Sequence, residues 1–177
     1  MAKLMKKLTF FITAFLLSAC QTTPPEELPA TLPEEVPSPV YTGTPVVGGI
    51  EPAYIIPFKM PFHARMDTGA ETSSLDAKNI RPFERDGEKW VSFDIINRKN
   101  GEKHHYQKPV KRKTKIVRTG EKERRYVVHM DIKFGKEIIN AEFTLNDRDK
   151  FDYQVLIGRN IINGRFIIDP SLENTMH

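Results

Sequence analysis

Between Tyr126 and Phe134 the chain alternates strictly enough to exclude a helix. Tyr126, Val128, Met130, Ile132 and Phe134 fall on one face of a strand, and Val127, His129, Asp131 and Lys133 fall on the other. Gly135-Lys136 is the length of a two-residue turn, and Ile139, Ala141, Phe143 and Leu145 restore the apolar face on the way back. This is a strong hairpin pattern. A second hairpin is predicted from Trp90 to Arg98, turning at Asn100-Gly101 and returning through Glu102 to Gln107. Val155-Leu156-Ile157 reads as a strand buried on both faces, Arg159 to Asn163 as one helical turn, and Arg165 to Ile168 as a further strand. Long helical periodicity is missing from this region. The expectation is an all-β domain, a small closed barrel or a sandwich, with at most one short helix.

The N-terminal part has a different character. Lys3, Lys6 and Lys7 precede the apolar run Leu8–Leu17, which is too short to span a bilayer of roughly 30 Å. It ends in Leu17-Ser18-Ala19-Cys20, which resembles a bacterial lipobox. Residues 1–19 are therefore expected to be a lipoprotein signal peptide and Cys20 the lipidation site. Gln21 after the cysteine implies outer-membrane sorting, and a domain facing the periplasm. Residues 20–45 alternate Pro24, Pro25, Pro29, Pro33, Pro37 and Pro39 with Glu26, Glu27, Glu34 and Glu35, as expected of an extended stalk. Residues 46–177 form one domain's length of chain. Cys20 is the only cysteine, which leaves the domain no internal disulfide and no thiolate metal site. The formal net charge of +4 is modest and, in an exported chain, argues against nucleic acid as a partner.

The chemistry-bearing candidate is Asp67-Thr68-Gly69-Ala70, placed at the end of a short extended segment, His63 to Asp67. Gly69 permits a tight turn and close backbone approach, Ala70 keeps the loop uncluttered, and Thr68 offers a hydroxyl. On its own such a tripeptide marks a turn. About ninety residues later, an apolar strand ends in Gly158-Arg159-Asn160. The pair of motifs resembles the retropepsin-like aspartic proteases. The wider context, Ala64 to Leu75 with Ile157-Gly158-Arg159 and Ile168-Asp169-Pro170-Ser171, is similar to the bacterial retropepsin-like family that has carried the label ATP-dependent zinc protease.

That resemblance implies a small closed retropepsin-like barrel and an aspartic endopeptidase with Asp67, Thr68 and Gly69 at its catalytic loop. Ala70, Arg65 and Glu71 flank the loop, and Gly158, Arg159 and Asn160 support it from below. Aspartic proteolysis needs two carboxylates sharing one proton. The chain has one Asp-Thr-Gly, since Asp169-Pro170-Ser171 and Asp147-Arg148-Asp149 lack the glycine. The second carboxylate is thus expected from Asp67 of another copy, making the partners a homodimer, a peptide or protein substrate, and the membrane through the N-terminal lipid. Thr114 to Arg125, with Thr119-Gly120 at its tip, falls where a retropepsin flap would sit.

No cofactor or metal is expected. His63, His104, His105, His129 and His177 form no His-Glu-x-x-His motif. His104 and His105, adjacent on a strand, point to opposite faces and read as surface histidines. No phosphate-binding Gly-rich loop is present. The basic run from Lys108 to Arg125 reads first as a solvated face, with attraction of an acidic peptide or anionic polymer as its functional alternative. Arg65, Glu71 and Arg159 are expected either to form ion pairs or to read substrate charge. The competing readings of the whole are a non-catalytic envelope binding protein of the same fold and, further off, a zinc-dependent protease.

Overall fold

The computed structural model describes residues 43–118 and 121–176. The signal, Cys20, nearly all of the stalk, the Thr119-Gly120 tip and His177 lie outside the described residues.

The long hairpin forms as its alternation requires. β8 (Glu121–Phe134) pairs with β9 (Glu137–Asn146) from Val127↔Thr144 to Phe134↔Glu137. Gly135, at φ +57°, takes the first central position of the two-residue turn, where an L side chain would be strained. Val128, Met130, Ile132, Phe134, Phe143 and Leu145 are buried.

The remaining strands extend this pair into a ring. β1 (Val46–Ile55) pairs antiparallel with β2 (Phe62–Met66), and β2 pairs in parallel with β10 (Val155–Ile157). β10 is antiparallel to β3 (Ser73–Asp76), which runs parallel to β9. Ala53↔Phe134 and Ile55↔Ile132 then join β1 to β8 and close the barrel. β7 (Arg112–Arg118) and β11 (Ile167–Glu173) are appended to this eight-stranded sheet. Among the described residues, the nearly all-β fold and single short helix, α1 (Arg159–Ile162), agree with the expected retropepsin-like architecture. The final strand begins at Ile167, not Arg165, because residues 163–165 are occupied by the turn that closes α1.

A separate three-stranded sheet, β4-β5-β6, packs Val91, Phe93 and Ile95 of its central strand into the barrel's core cluster. β4 (Lys78–Arg85) meets β5 (Glu88–Ile96) across Asp86-Gly87, at φ +53° and +77°, as a type I′ turn demands. The sequence reading missed this turn and its strand. The predicted turn at Asn100-Gly101 also differs. β6 (Lys103–Pro109) joins β5 through a wider loop, in which Gly101 N–H bonds to Asn97 O at 2.8 Å and only Gly101 takes positive φ. Asn97 and Asn100 side chains cap neighbouring amides, which favours the longer loop.

One buried carboxylate fastens the C-terminal residues to β1. Glu51, fully buried, accepts hydrogen bonds from Thr175 Oγ1 (2.6 Å), Met176 N (3.0 Å), Gly48 N (2.5 Å) and Thr175 N (3.1 Å). Burial pushes its pKa up, but these donors outweigh burial and hold it below 4.5. A lowered folded value means that its stabilising contribution is complete above the ordinary carboxylate range. It fades as pH falls through 4.5 and is gone below the folded value. The thermal midpoint is therefore expected to stay level down to about pH 5 and then drop. Glu51→Gln should lower it at neutral pH, by roughly 2 kcal/mol of stability, and flatten the acid slope. Identical acid slopes in the two proteins would contradict this role.

Candidate active site

Asp67 stands at the point where β2 leaves the barrel wall. Its N–H donates to Ile157 O at 2.8 Å, so the strand ladder with β10 continues up to the aspartate itself. The carboxylate turns back over its own loop, with Oδ1 accepting Gly69 N (2.9 Å) and Ala70 N (3.1 Å). A Cβ at position 69 would come within 3.2 Å of Asp67 Oδ1, while Gly69 does not use positive φ. The glycine therefore matters for the room it leaves beside the carboxylate, and the turn alone would not require it. Thr68 lies at the exposed crest, its carbonyl facing the loop's support.

That support comes from the segment after β10. Gly158 packs so closely beneath the loop that a Cβ would meet Ala70 O and Thr72 C at 2.9 Å. Its N–H donates to Ser73 Oγ (2.9 Å). Arg159 N bonds to Ala70 O at 2.8 Å, and Arg159 Nη1 bonds to both Thr68 O and Gly69 O at 3.0 Å. Asn160 Oδ1 accepts Ser73 N (2.9 Å) and Ser73 Oγ (2.8 Å), while its Nδ2 donates to Glu142 O (2.9 Å). Asp67, Thr68, Gly69, Ala70, Gly158, Arg159 and Asn160 are thus brought together. Arg159 braces the loop through carbonyls and not through an ion pair. Arg65 lies with its guanidinium 5.9 Å from the Tyr153 ring, and Glu71 contributes its backbone carbonyl to Asn160 N.

A cavity of about 250 Å³ opens beside Asp67, lined also by Glu71, Thr72, Ser74, Thr144 and three arginines, Arg112, Arg125 and Arg148. Arg125 and Arg148 are 7% and 4% exposed, so Arg125, at the end of the basic run, is not part of a solvated face. Arg112 bonds to Glu142 Oε2 and Thr72 Oγ1, both at 3.0 Å. Arg125 Nη2 bonds to Glu123 at 2.6 Å, but among the described residues its Nε has no hydrogen-bond partner, and neither has the buried Ser74 Oγ. Arg148 is placed by Asp76, whose Oδ1 accepts Arg148 N (2.9 Å). Burial pushes the Asp76 carboxyl up, yet Arg148 N–H, Gln154, Arg98 and Lys78 outweigh it and hold the group below its usual range. β7 and β8 pair up to Arg118↔Glu121, forming a hairpin whose inner end carries Arg112, Thr114 and Arg125 over the cavity. This is the segment expected as a flap.

The histidines have other tasks. His104 Nε2 bonds to Glu102 (2.9 Å) and its half-buried ring packs edge-on to Phe58, so it is not simply a surface group. His105 Nδ1 bonds to Asp94 (2.8 Å), and His129 Nδ1 bonds to Asn140 (2.8 Å). The carboxylates of Asp76, Asp147 and Asp149 converge, but Lys78 Nζ already sits among them, at 3.3, 2.5 and 2.6 Å.

Residues 46–177 match the family described as RimB-like, retropepsin-like aspartic endopeptidase RimB. The chain belongs to this RimB-like family. Curated relatives include a probable alpha-L-glutamate ligase of Shewanella pealeana, 41% identical over 111 residues. Another, of the same name, comes from Desulfotalea psychrophila and is 41% identical over 115 residues. The matches cover 61% and 62% of this chain but only 24% of each relative. A crystal structure of a Legionella pneumophila protein of unknown function superposes with a TM-score of 0.65 at 29% identity, covering 75% of this chain and 98% of that one.

In this RimB-like domain the sequence reading found the loop and its floor but not the walls. Ser74 fell within the Ala64 to Leu75 stretch and Arg125 within the basic run and expected flap, but neither was assigned to the site, and Arg148 drew attention only within Asp147-Arg148-Asp149. The close packing at Gly158 makes a direct prediction. Gly158→Ala must push the Asp67 loop away from β10, and is expected to cost about 2 kcal/mol. Chemical denaturation measures the loss, and a variant as stable as the parent would show that the loop yields freely.

Proposed function

We propose that this protein is an aspartic endopeptidase that hydrolyses acidic peptide segments, using a pair of Asp67 carboxylates contributed by two copies of the chain. The observation that carries the reading is the Asp67 loop, held by backbone amides and backed by Gly158–Asn160, opening on a cavity walled by Arg112, Arg125 and Arg148. With one Asp-Thr-Gly per chain, a twofold dimer supplies the partner carboxylate. Asp67 also borders a second recess, with Gly49, Arg65, Met66, Thr68, Ile168 and Pro170, which leaves the loop approachable through more than one opening.

In the proposed reaction, one carboxylate takes a proton from water as the oxygen adds to the peptide carbonyl carbon. The proton held by the other passes to the carbonyl oxygen. Collapse of the tetrahedral diol breaks the C–N bond, and the departing nitrogen takes the proton that the first carboxylate had removed from water. A hydroxyl of the diol returns its proton to the second carboxylate as the product carboxyl forms. The arginine wall supplies selectivity. Unsatisfied donors at Arg125 Nε and Ser74 Oγ are costly, at about 1–3 kcal/mol each, and an incoming side-chain carboxylate satisfies them with charge-assisted bonds. The relatives' name, alpha-L-glutamate ligase, favours glutamate as the side chain so recognised. The Lys3–Cys20 pattern supports an envelope location with lipid attachment at Cys20, and the hairpin of β7 and β8 serves as the flap.

The decisive experiment follows cleavage of glutamate-rich and neutral peptides by the protein and by Asp67→Asn. Cleavage is expected to need Asp67, to survive EDTA, and to favour the acidic peptide. Arg125→Gln should reduce that preference by roughly 30-fold, equivalent to about 2 kcal/mol. EDTA-sensitive cleavage indifferent to Asp67 would overturn the proposal in favour of a metalloprotease. Acidic-peptide binding without any hydrolysis would instead establish a binding protein.

A proton shared between two carboxylates also sets the pH response. The rate is expected to fall on the alkaline side as the pair loses that proton. A pH–rate profile still rising well above neutral would be incompatible with the dyad.

A further inference from the structure

We infer that a groove between the two sheets is a second binding site, an exosite for the distal part of the same acidic chain; that ligand class rests on the reading of the Asp67 cavity given above. The groove, of about 610 Å³, is lined by Lys89, Lys108, Lys111 and His129, with Glu88 as its one carboxylate. It lies where the chain crosses from β6 to β7. Val110 N–H bonds to Lys89 O (2.8 Å) and Lys111 N–H bonds to Val127 O (2.9 Å), so the crossover is pinned to both sheets. The lysines are therefore carried on fixed backbone.

Their charges are left over. Several cations elsewhere find carboxylates: Lys78 and Arg98 on Asp76, Lys103 on Asp94, Arg112 on Glu142, Arg125 on Glu123. Among the described residues, Lys89, Lys108 and Lys111 form no ion pair, hydrogen bond or ring contact through their ammonium groups.

The groove and the Asp67 cavity share no lining residue, but sequence neighbours border them. Arg112, next to Lys111, lines that cavity and, with Glu71 and Thr72, an adjoining cleft that reaches Glu142. Glu142 contacts Arg112 at 2.9 Å and His129 Nε2 at 4.0 Å, and His129 lines the groove. Arg112 takes up the charge of Glu142, while Glu71, which lines both the cavity and the cleft, remains as a carboxylate on the path. The two ends suit different parts of one ligand. Planar guanidiniums fix a carboxylate's orientation, whereas lysines on flexible stems follow an irregular anionic chain without demanding one geometry. Once the first segment is held at Asp67, the second contact becomes intramolecular, and the gain belongs only to chains long enough to reach.

The test uses the full chain carrying Asp67→Asn, with and without Lys89→Gln, Lys108→Gln and Lys111→Gln together. Fluorescence anisotropy measures binding of labelled peptides of about twelve glutamates, roughly 40 Å extended, and about three, roughly 10 Å. The triple substitution is expected to weaken the long peptide about tenfold, leave the short one unchanged, and shallow the salt dependence. Unchanged long-peptide affinity, equal weakening of both peptides, or equal affinity for a twelve-residue glutamine peptide would overturn the exosite. Far-UV circular dichroism and the thermal midpoint exclude unfolding, since the substituted side chains are not in the core. Hydrolysis by the Asp67 protein is scored separately. Lysine-dependent binding without hydrolysis would sink the endopeptidase reading and leave the exosite standing, while hydrolysis without a lysine-dependent length gain would do the reverse.

Discussion

The geometry around Asp67 depends on the interaction between Asn160 and Ser73. The Asn160 amide oxygen accepts both the N–H and the hydroxyl of Ser73, and Ser73 Oγ in turn accepts Gly158 N–H. On its other side the amide nitrogen holds Glu142 O of β9. One side chain thereby ties the start of α1 to β3 and β9, on which the aspartate loop rests. A glycine at 158 is the corollary: the strand can approach the loop this closely only with hydrogen where any other residue has Cβ. Backbone amides then aim the Asp67 carboxylate, and Arg159 holds the carbonyls of Thr68 and Gly69. The loop is over-determined by short hydrogen bonds before any ligand arrives.

The three-stranded sheet contributes to the same site at one remove. Its β5–β6 loop carries Arg98, whose Nη2 reaches Asp76 Oδ2 at 2.6 Å and Arg148 O at 2.8 Å. Asp76 holds Arg148 N, and Arg148 walls the Asp67 cavity. A sheet that looks like an addition to a minimal barrel is thus coupled, through one buried carboxylate, to an arginine beside the candidate catalytic group. Truncating it would remove Val91, Phe93 and Ile95 from the core as well as unseat the Asp76 cluster. Packing and site geometry depend on the same sheet.

How much of this was legible in the sequence follows from the range of each signal. The β8–β9 hairpin was legible because alternation and a turn glycine are local and redundant. The Asp67 loop and Gly158–Asn160 were legible because two motifs, weak singly, constrain each other. The Asp86-Gly87 turn was equally local and was overlooked, along with β4. The β5–β6 turn was misplaced because Asn97 and Asn100 cap amides by side-chain geometry, which a dipeptide preference does not express. The cavity walls were beyond reach for another reason. Arg125 and Arg148 are far apart in sequence and become neighbours only when the barrel closes, so composition assigns such residues to solvent. Arg125 shares a strand face with Val127, and both are buried.

The distribution of unmet hydrogen-bonding capacity gives an independent view of where the molecule acts. Among the described residues, the buried side-chain polar atoms without a partner are Ser74 Oγ, Arg125 Nε and Trp90 Nε1. Two of them line the Asp67 cavity. A buried guanidinium is among the most expensive groups to leave incompletely bonded. This fold shows it can satisfy such groups, since the buried Arg148 donates its Nε to Tyr153 O at 2.8 Å. On the function proposed above, the deficit beside Asp67 is capacity kept for a ligand. Its chemistry follows from the donors: an acceptor bearing negative charge, entering beside a carboxylate whose own loop is already filled with hydrogen bonds.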